Sequence, residues 1–349
     1  MTLVDHASPS TSPDPIPPVA DALVVDRPGE ASVRRVRLRP PGATDVVVRT
    51  ELTGISTGTE RLLFDGSMPP FPGLSYPLVP GYEAVGTVIG GGDGAAHPVG
   101  TRVFVPGSSH YEDGVAGLFG ASASTLVTDS ARAVPIGALA GEEGTLLALA
   151  ATAMHALALR LRRDRPDAPL AAAELVPDAP DLVVGHGVLG RLVARLCLAI
   201  GAPAPVVLET CAARAGGASG YEVVHPDALD PARGPFRRIL EASGAGGDHL
   251  DRLVARAARG GRITLAGFYA ERVGFAFAPA FMREIVIDVA AEWTPADLAL
   301  VLSLTGSGAL SLAGLVTDRA PAADAARAYP EAFADASRLK TVLDWRGLA

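Results

Sequence analysis

Between residues 22 and 136 the apolar positions come in short β-branched runs, at 22–25, 45–50, 83–89, 101–105 and 125–128, each broken off by Gly or Pro. Runs of that length between turn formers predict strands, so this stretch reads as a β-rich unit. The rhythm changes at residue 142. Residues 142–163 are rich in Ala and Leu, with neither Gly nor Pro after Gly144, and predict a long helix connecting two parts of the chain. Four prolines within residues 165–180 predict a loop. From Asp181 onward apolar strands alternate with helical stretches: 182–184, 191–200, 206–209, 237–241, 249–259 and 262–267. That alternation predicts a parallel sheet wrapped by helices. A strand at 284–290, a helix at 295–304 and a return to β character at 314–317 and 340–345 complete the pattern. The expected division is a disordered tail over 1–20, one unit made of 21–155 and 294–349, and a second unit over 156–293.

Composition narrows the partners. A chain of 349 residues suits two domains, each able to bury a core. With 30 basic and 38 acidic residues the net charge is −8, which gives a polyanion nothing to bind, so nucleic acid is excluded as a partner. Cys197 falls in an apolar helical stretch and Cys211 just after a strand, without metal-ligand spacing, and both suit a reducing compartment. The longest apolar run, 146–159, is interrupted by Thr152 and His155 and is shorter than the roughly 20 residues of a bilayer span. It reads as a core helix, and no transmembrane segment is expected. Residues 1–20 lack the cationic start and apolar core of a signal peptide, so the expected location is the cytoplasm.

Two constellations carry chemistry. Gly185-His186-Gly187-Val188-Leu189-Gly190 follows an apolar strand and opens a helix, the context that makes G-x-G-x-x-G a dinucleotide site. Gly187 lets a diphosphate approach the helix end, Gly190 lets helix and sheet pack closely, and Glu209 would accept hydrogen bonds from the adenosine ribose. The same carboxylate repels a 2′-phosphate, which favours NAD as cofactor; Arg214, a nearby guanidinium, argues the other way. The second constellation is Gly54-Ile55-Ser56-Thr57-Gly58-Thr59-Glu60 with Pro80-Gly81-Tyr82-Glu83-Ala84-Val85-Gly86. It resembles the active-site region of zinc alcohol dehydrogenases, with Ser56 and Tyr82 where the metal-binding Cys and His belong. Only Glu83 remains as a ligand type, and residues 90–120 lack the four cysteines of a structural zinc, so no metal is expected. Thr57-x-x-Glu60 also reads as a helix capping box, which is compatible with catalysis.

Oxidising an alcohol without a metal still requires a proton acceptor. Tyr82 qualifies as a tyrosinate if a cation or the cofactor's charge lowers its pKa, or it only packs. His155 has suitable basicity, or is a satisfied core histidine. Ser56 could relay through its hydroxyl, Thr57 could aim a second hydroxyl into the cleft, and Glu83 could orient. Thr152 stands at a position that lies against the nicotinamide in related dehydrogenases, or is an ordinary helix residue.

The segment GISTGTERLLFDGSMPPFPGLSYPLVPGYEAVG, together with VFVPGSSHYEDGVAGLFGASAS, DLVVGHGVLGR, AAEWTPADL and LKTVLDWR, resembles the bacterial 3-hydroxyethyl bacteriochlorophyllide a dehydrogenase family from about residue 20 to the C-terminus. The resemblance implies an α/β protein of medium-chain dehydrogenase architecture, with a GroES-like β-rich catalytic domain and a Rossmann doubly wound parallel sheet. It implies oxidation of the C3 1-hydroxyethyl group of a tetrapyrrole to acetyl, with hydride passing to NAD. For such a flat substrate, residues 68–76 could supply an apolar wall from Met68, Phe71, Leu74 and Tyr76, or simply pack on themselves. His110 and Tyr111 could contact the macrocycle's magnesium or propionate, or belong to a solvated loop. Residues 284–290 supply a β-branched edge for a homodimer. A zinc-free quinone or enone reductase and a non-catalytic NAD-binding relative are the competing readings.

Overall fold

The computed structural model describes residues 18–139, 141–246 and 248–348, so the expected tail falls outside the described residues as far as residue 17. The first part of the chain forms β1 (Val19–Arg27), β2 (Glu30–Arg37), β3 (Asp45–Ile55), α1 (Thr59–Asp65), β4 (Leu78–Val79), β5 (Ala84–Gly91), β6 (Arg102–Val105), β7 (Ala116–Gly117), β8 (Thr125–Asp129) and β9 (Val134–Pro135). Then come α2 (Gly141–Gly144), α3 (Leu147–Asp164) and α4 (Ala172–Leu175). The alternating part holds β10 (Leu182–Val184), α5 (Val188–Ala199), β11 (Val206–Leu208), β12 (Glu222–Val224), β13 (Phe236–Glu241), α6 (His249–Arg256), β14 (Ala257–Leu265), α7 (Phe277–Arg283) and β15 (Val286–Val289). It is followed by α8 (Pro295–Gly306), β16 (Val316–Pro321), α9 (Ala325–Ala334) and β17 (Lys340–Asp344).

Strands β10 to β15 make one parallel sheet in the order β12-β11-β10-β13-β14-β15. Every residue of β10 and β11 is buried, the pattern of a sheet covered on both faces. Because the order reverses beside β10, a crevice opens at the carboxyl ends of β10 and β13, where open α/β sheets take their ligands. A second, seven-stranded sheet centres on β3, which pairs with β5, β8 and β17. Leu343 of β17 lies opposite Thr53 of β3, so the end of the chain is laced into its beginning. Between the sheets α3 packs against α5 and α8, and its buried Leu147, Ala150, Ala151, Met154 and Leu157 anchor a core that includes Cys197.

Several expectations need correction. The single helix over 142–163 is two, because at the junction the Thr145 hydroxyl bonds the Glu142 carbonyl at 2.6 Å and the Leu146 amide bonds that of Glu143 at 3.0 Å. The predicted loop at 165–180 contains α4, where the Glu174 carboxylate reaches back to the Ala171 amide at 2.8 Å. Separately, helix α3 spans residues 155 and 156, so the expected division between units falls within it. No described helix is long and apolar enough to cross a membrane.

Candidate active site

The chain leaves β3 at Ile55 and places Ser56, only 5% exposed, at the entry to α1. Tyr82 arrives from the other side after Gly81, whose φ of 93° and close approach to Ser122 admit no side chain. The two predicted residues meet: the Tyr82 hydroxyl donates to Ser56 Oγ at 2.5 Å. The Tyr82 ring stands edge-on to Phe119, centroids 5.2 Å apart. Phe119 has a φ of 64°, a left-handed conformation that costs a bulky residue about 1–2 kcal/mol. The Ser108 amide holds it there by donating to the Phe119 carbonyl at 2.8 Å. Burial, reinforced by the Glu83 carboxylate, pushes the Tyr82 phenol above its ordinary value. In this arrangement Tyr82 is a neutral hydroxyl donor to Ser56.

The capping box does not form. Gly58 is the N-cap of α1 and makes no side-chain cap, so Thr57 has no capping role; the Glu60 carboxylate reaches back instead to the Ser56 amide at 3.0 Å. Glu60 is fully buried. Burial pushes its carboxyl from an ordinary 4.5 up to about 8, with the Glu83 carboxylate adding to the shift and the Ser56 amide opposing it. A carboxyl with a raised folded-state pKa favours the protonated fold, so its contribution is complete below the unfolded value and is lost as pH rises through the folded one. Wild-type stability should therefore fall relative to Glu60→Gln between about pH 5 and about pH 8, by up to about 1.4 kcal/mol per pH unit. Urea denaturation of both proteins across that range checks it, and a pH-independent difference would remove the titrating group.

Glu83 is not free to orient a substrate. Both of its oxygens accept from Lys340 Nζ, at 2.8 and 2.6 Å, and the two side chains are 0% and 1% exposed. Gly54 makes room for this crossing: a β-carbon there would sit 2.0 Å from Glu83 Oε2. Burial raises the Glu83 carboxyl while Lys340 pulls it down. The old metal position thus offers two neutral hydroxyls bonded to each other and a carboxylate committed to an ammonium. This donor set does not fit zinc, which takes three ligands from Cys, His or carboxylate. Among the described residues no cluster of three such side chains occurs.

His155 is also otherwise engaged. Its Nδ1 lies 2.8 Å from Asp297 Oδ2, while Arg162 Nε donates to Asp297 Oδ1 at 2.7 Å. The Thr294 amide donates to the same carboxylate at 2.9 Å and completes a capping box on α8. The histidine, 7% exposed, docks α3 onto α8 through this carboxylate, the arrangement of a satisfied core histidine. The Thr152 hydroxyl bonds the Ala148 carbonyl of its own helix at 2.9 Å.

The glycine motif forms as its spacing predicts. Gly185 has a φ of 96°, and a β-carbon on Gly190 would lie 1.9 Å from the Gly185 carbonyl oxygen. Gly187 caps α5, and the space its β-carbon would fill is open, with Arg214 Nη1 nearest at 4.0 Å. That cradle fits a diphosphate. Val188 is buried and Leu189 half-buried in the first turn of α5. The His186 side chain departs from expectation by facing protein: Nδ1 meets the Arg214 carbonyl at 2.6 Å and Nε2 the Tyr221 hydroxyl at 2.9 Å. Burial lowers its pKa and keeps the ring neutral. Its amide donates to Glu209 Oε2 at 2.8 Å, and the Cys211 amide to Glu209 Oε1 at 2.7 Å. Glu209 is fixed yet half-exposed, with lone pairs left for a ribose.

A cavity of about 280 Å³ lies between Arg61 and Leu62 of α1 and Glu241, Phe268, Tyr269 and Arg272 of the parallel-sheet part. Glu241, 1% exposed, is held by the Ser243 amide at 2.7 Å and by the Tyr269 hydroxyl. Rings run from Tyr82 to Phe119, on to Phe71 at 6.1 Å and then to Phe268 at 6.5 Å, joining the two parts. Of the expected 68–76 wall Phe71 is offered, 36% exposed; Met68 is buried, Leu74 is half-buried against the same core, and the Tyr76 hydroxyl is tied to the Leu63 carbonyl. His110 pairs with Asp45 at 3.1 Å and the buried Tyr111 hydroxyl bonds the Gly120 carbonyl at 2.6 Å, so both are tied into the β-rich part. Sequence reasoning missed Phe119, Glu241 and Lys340, and read Glu60 only as part of a helix cap. Lys340 carried a signal, being the single lysine among 30 basic residues.

Residues 42–138 match the alcohol dehydrogenase GroES-like domain family. The 2-desacetyl-2-hydroxyethyl bacteriochlorophyllide A dehydrogenase of Rhodobacter capsulatus is 48% identical over 324 residues, covering 93% of this chain and 98% of that protein. The protein of the same name from Cereibacter sphaeroides is 48% identical over 332 residues, covering 94% and 99%. Among solved structures, a short chain alcohol dehydrogenase from E. coli CFT073 complexed with NADH shares the fold at a TM-score of 0.74, with 18% identity over 94% of this chain and 100% of that one.

Proposed function

The chain belongs to the 2-desacetyl-2-hydroxyethyl bacteriochlorophyllide a dehydrogenase family, and we propose that it oxidises the C3 1-hydroxyethyl group of a chlorophyllide or bacteriochlorophyllide to acetyl, using NAD and no zinc. The observation that carries the chemistry is the Tyr82–Ser56 hydroxyl pair, placed at the end of the aromatic run. When bound, the nicotinamide supplies the hydride acceptor. Ser56 Oγ, already accepting from Tyr82, retains its own proton to donate and a lone pair to receive the alcohol's hydrogen bond. The pair thus orients the alcohol, whose proton passes to Ser56 Oγ as that hydroxyl releases its own proton to solvent water at the mouth of the cleft, the final acceptor. Phe71, Phe119 and Phe268 give a flat ring an apolar surface and exclude water.

Glu209 supports NAD over NADP, since its anchored carboxylate would meet a 2′-phosphate with like charge. This also disfavours an NADPH-dependent quinone or enone reductase. We assign residues 21–155 with 294–349 to a GroES-like catalytic domain and 156–293 to the dinucleotide domain. Both cysteines are free, in keeping with a cytoplasmic protein. Strand β15 is the edge of its sheet, with Val289 68% exposed, and Phe277, Phe281 and Met282 of α7 stand exposed beside it. A second copy covering this apolar edge makes the protein a homodimer.

The test uses purified protein, first sized by sedimentation, where twice the 35.6 kDa chain mass is expected. Adding NAD and the hydroxyethyl pigment in excess EDTA should then shift the pigment's long-wavelength band as the new acetyl joins the ring conjugation, with NADH appearing in step. An unmoved band removes the activity, and loss of turnover on chelation with rescue by Zn²⁺ removes the metal-free mechanism.

A further inference from the structure

We infer that Arg214 clamps the diphosphate of the dinucleotide from the side opposite the α5 N-terminus, which makes it an affinity residue for the cofactor's centre and not for a 2′-phosphate. The inference rests on the dinucleotide reading above.

Arg214 ends a short turn, Ala212–Arg214, just after β11. Its backbone is held by buried partners: the carbonyl oxygen lies 2.6 Å from His186 Nδ1 and accepts from Arg191 Nη2 at 2.9 Å. Arg191, 5% exposed, also donates to the His186 carbonyl at 3.0 Å and to the Gly216 carbonyl at 2.7 Å. The loop lies so close on this guanidinium that a β-carbon on Gly217 would sit 2.6 Å from Arg191 Nη1. The glycine loop and the loop after β11 are therefore one pinned unit. The base of the Arg214 side chain cannot swing away without breaking it.

From that base the guanidinium reaches over the glycine motif. Its Nε donates to the Ala336 carbonyl at 2.6 Å, and among the described residues it has no carboxylate partner. Nη1 lies 4.0 Å from the position of the missing Gly187 β-carbon. The second glycine of this motif lacks a side chain because the diphosphate occupies that space. A phosphate oxygen there would lie between the amides at the start of α5 and a guanidinium able to donate a charge-assisted hydrogen bond. The ribose carboxylate Glu209 is meanwhile fixed by the His186 and Cys211 amides, so the 2′ position keeps its negative neighbour. The Ala336 bond adds a consequence: the same guanidinium ties the cofactor loop to the segment that leads into β17 and Lys340.

Calorimetric titration of the full-length protein with ADP-ribose, NAD, NADP and adenosine separates these roles. Arg214→Ala should weaken ADP-ribose and NAD alike by about tenfold or more, leave adenosine unchanged and weaken NADP by no larger a factor; Arg214→Lys should fall between it and wild type. Selective loss of NADP would move Arg214 to the 2′-phosphate and overturn the clamp, as would unchanged ADP-ribose affinity. Parallel loss of adenosine would show only a collapsed loop and equally overturn it. Wild-type protein that binds neither NAD nor ADP-ribose would instead refute the dinucleotide reading itself.

Discussion

Replacing Lys340 with Met should destabilise the fold by about 3–5 kcal/mol, the largest single loss expected in the molecule. Among the described residues the ammonium alone donates to the Glu83 carboxylate, and both are essentially without solvent. Removing it strands a charge that must either be protonated or drag water between β3 and β17, which hold Gly54 and Lys340. The pair is not worth that much by itself, since burying two charges costs nearly what their attraction returns. The double variant Glu83→Gln/Lys340→Met should accordingly recover most of the loss. Urea denaturation of the wild type, the single variant and the double variant closes the comparison. A single variant within about 1 kcal/mol of wild type, or a double variant no better than the single, would show that the pair does not hold the strands together.

That pair also marks where the sequence stops being legible. Local patterns were readable because their causes are local: the parallel sheet follows from apolar runs alternating with helical stretches, and the glycine motif from its spacing after β10. Strand β2 escaped because its Arg-rich face is largely exposed, and only a hairpin with β1 through Gly29 gives it a partner. Ser56 and Tyr82 were legible as substitutions at a metal site. What each would touch was not. Glu83 and Lys340 lie 257 residues apart, and Asp297 meets His155 across 142, so neither partner could be found from spacing. Phe119 is a third kind of miss, since its place in the aromatic run depends on a left-handed backbone that residue type argues against.

Ser56→Ala should lower kcat by about 10²–10⁴-fold, the range for loss of a positioned proton-transfer group, while NAD affinity stays at the wild-type value. The reason lies in the pair's geometry. Tyr82 donates to Ser56 Oγ at 2.5 Å, and burial with the Glu83 charge raises its phenol, so Tyr82 stays protonated and fixes which way the serine hydroxyl points. Tyr82→Phe keeps the ring against Phe119 and removes only that direction, so it should cost less than Ser56→Ala and leave KM for the pigment nearly unchanged. Because Tyr82 does not ionise in the working range, Tyr82→Phe should scale the pH profile of kcat downward without altering its shape. A limb that disappears in the Phe variant would show that tyrosinate is the base after all. The double variant should be no slower than Ser56→Ala alone, since the tyrosine acts through the serine. Losses that multiply would mean that two hydroxyls reach the substrate independently, and the relay through Ser56 would have to be given up.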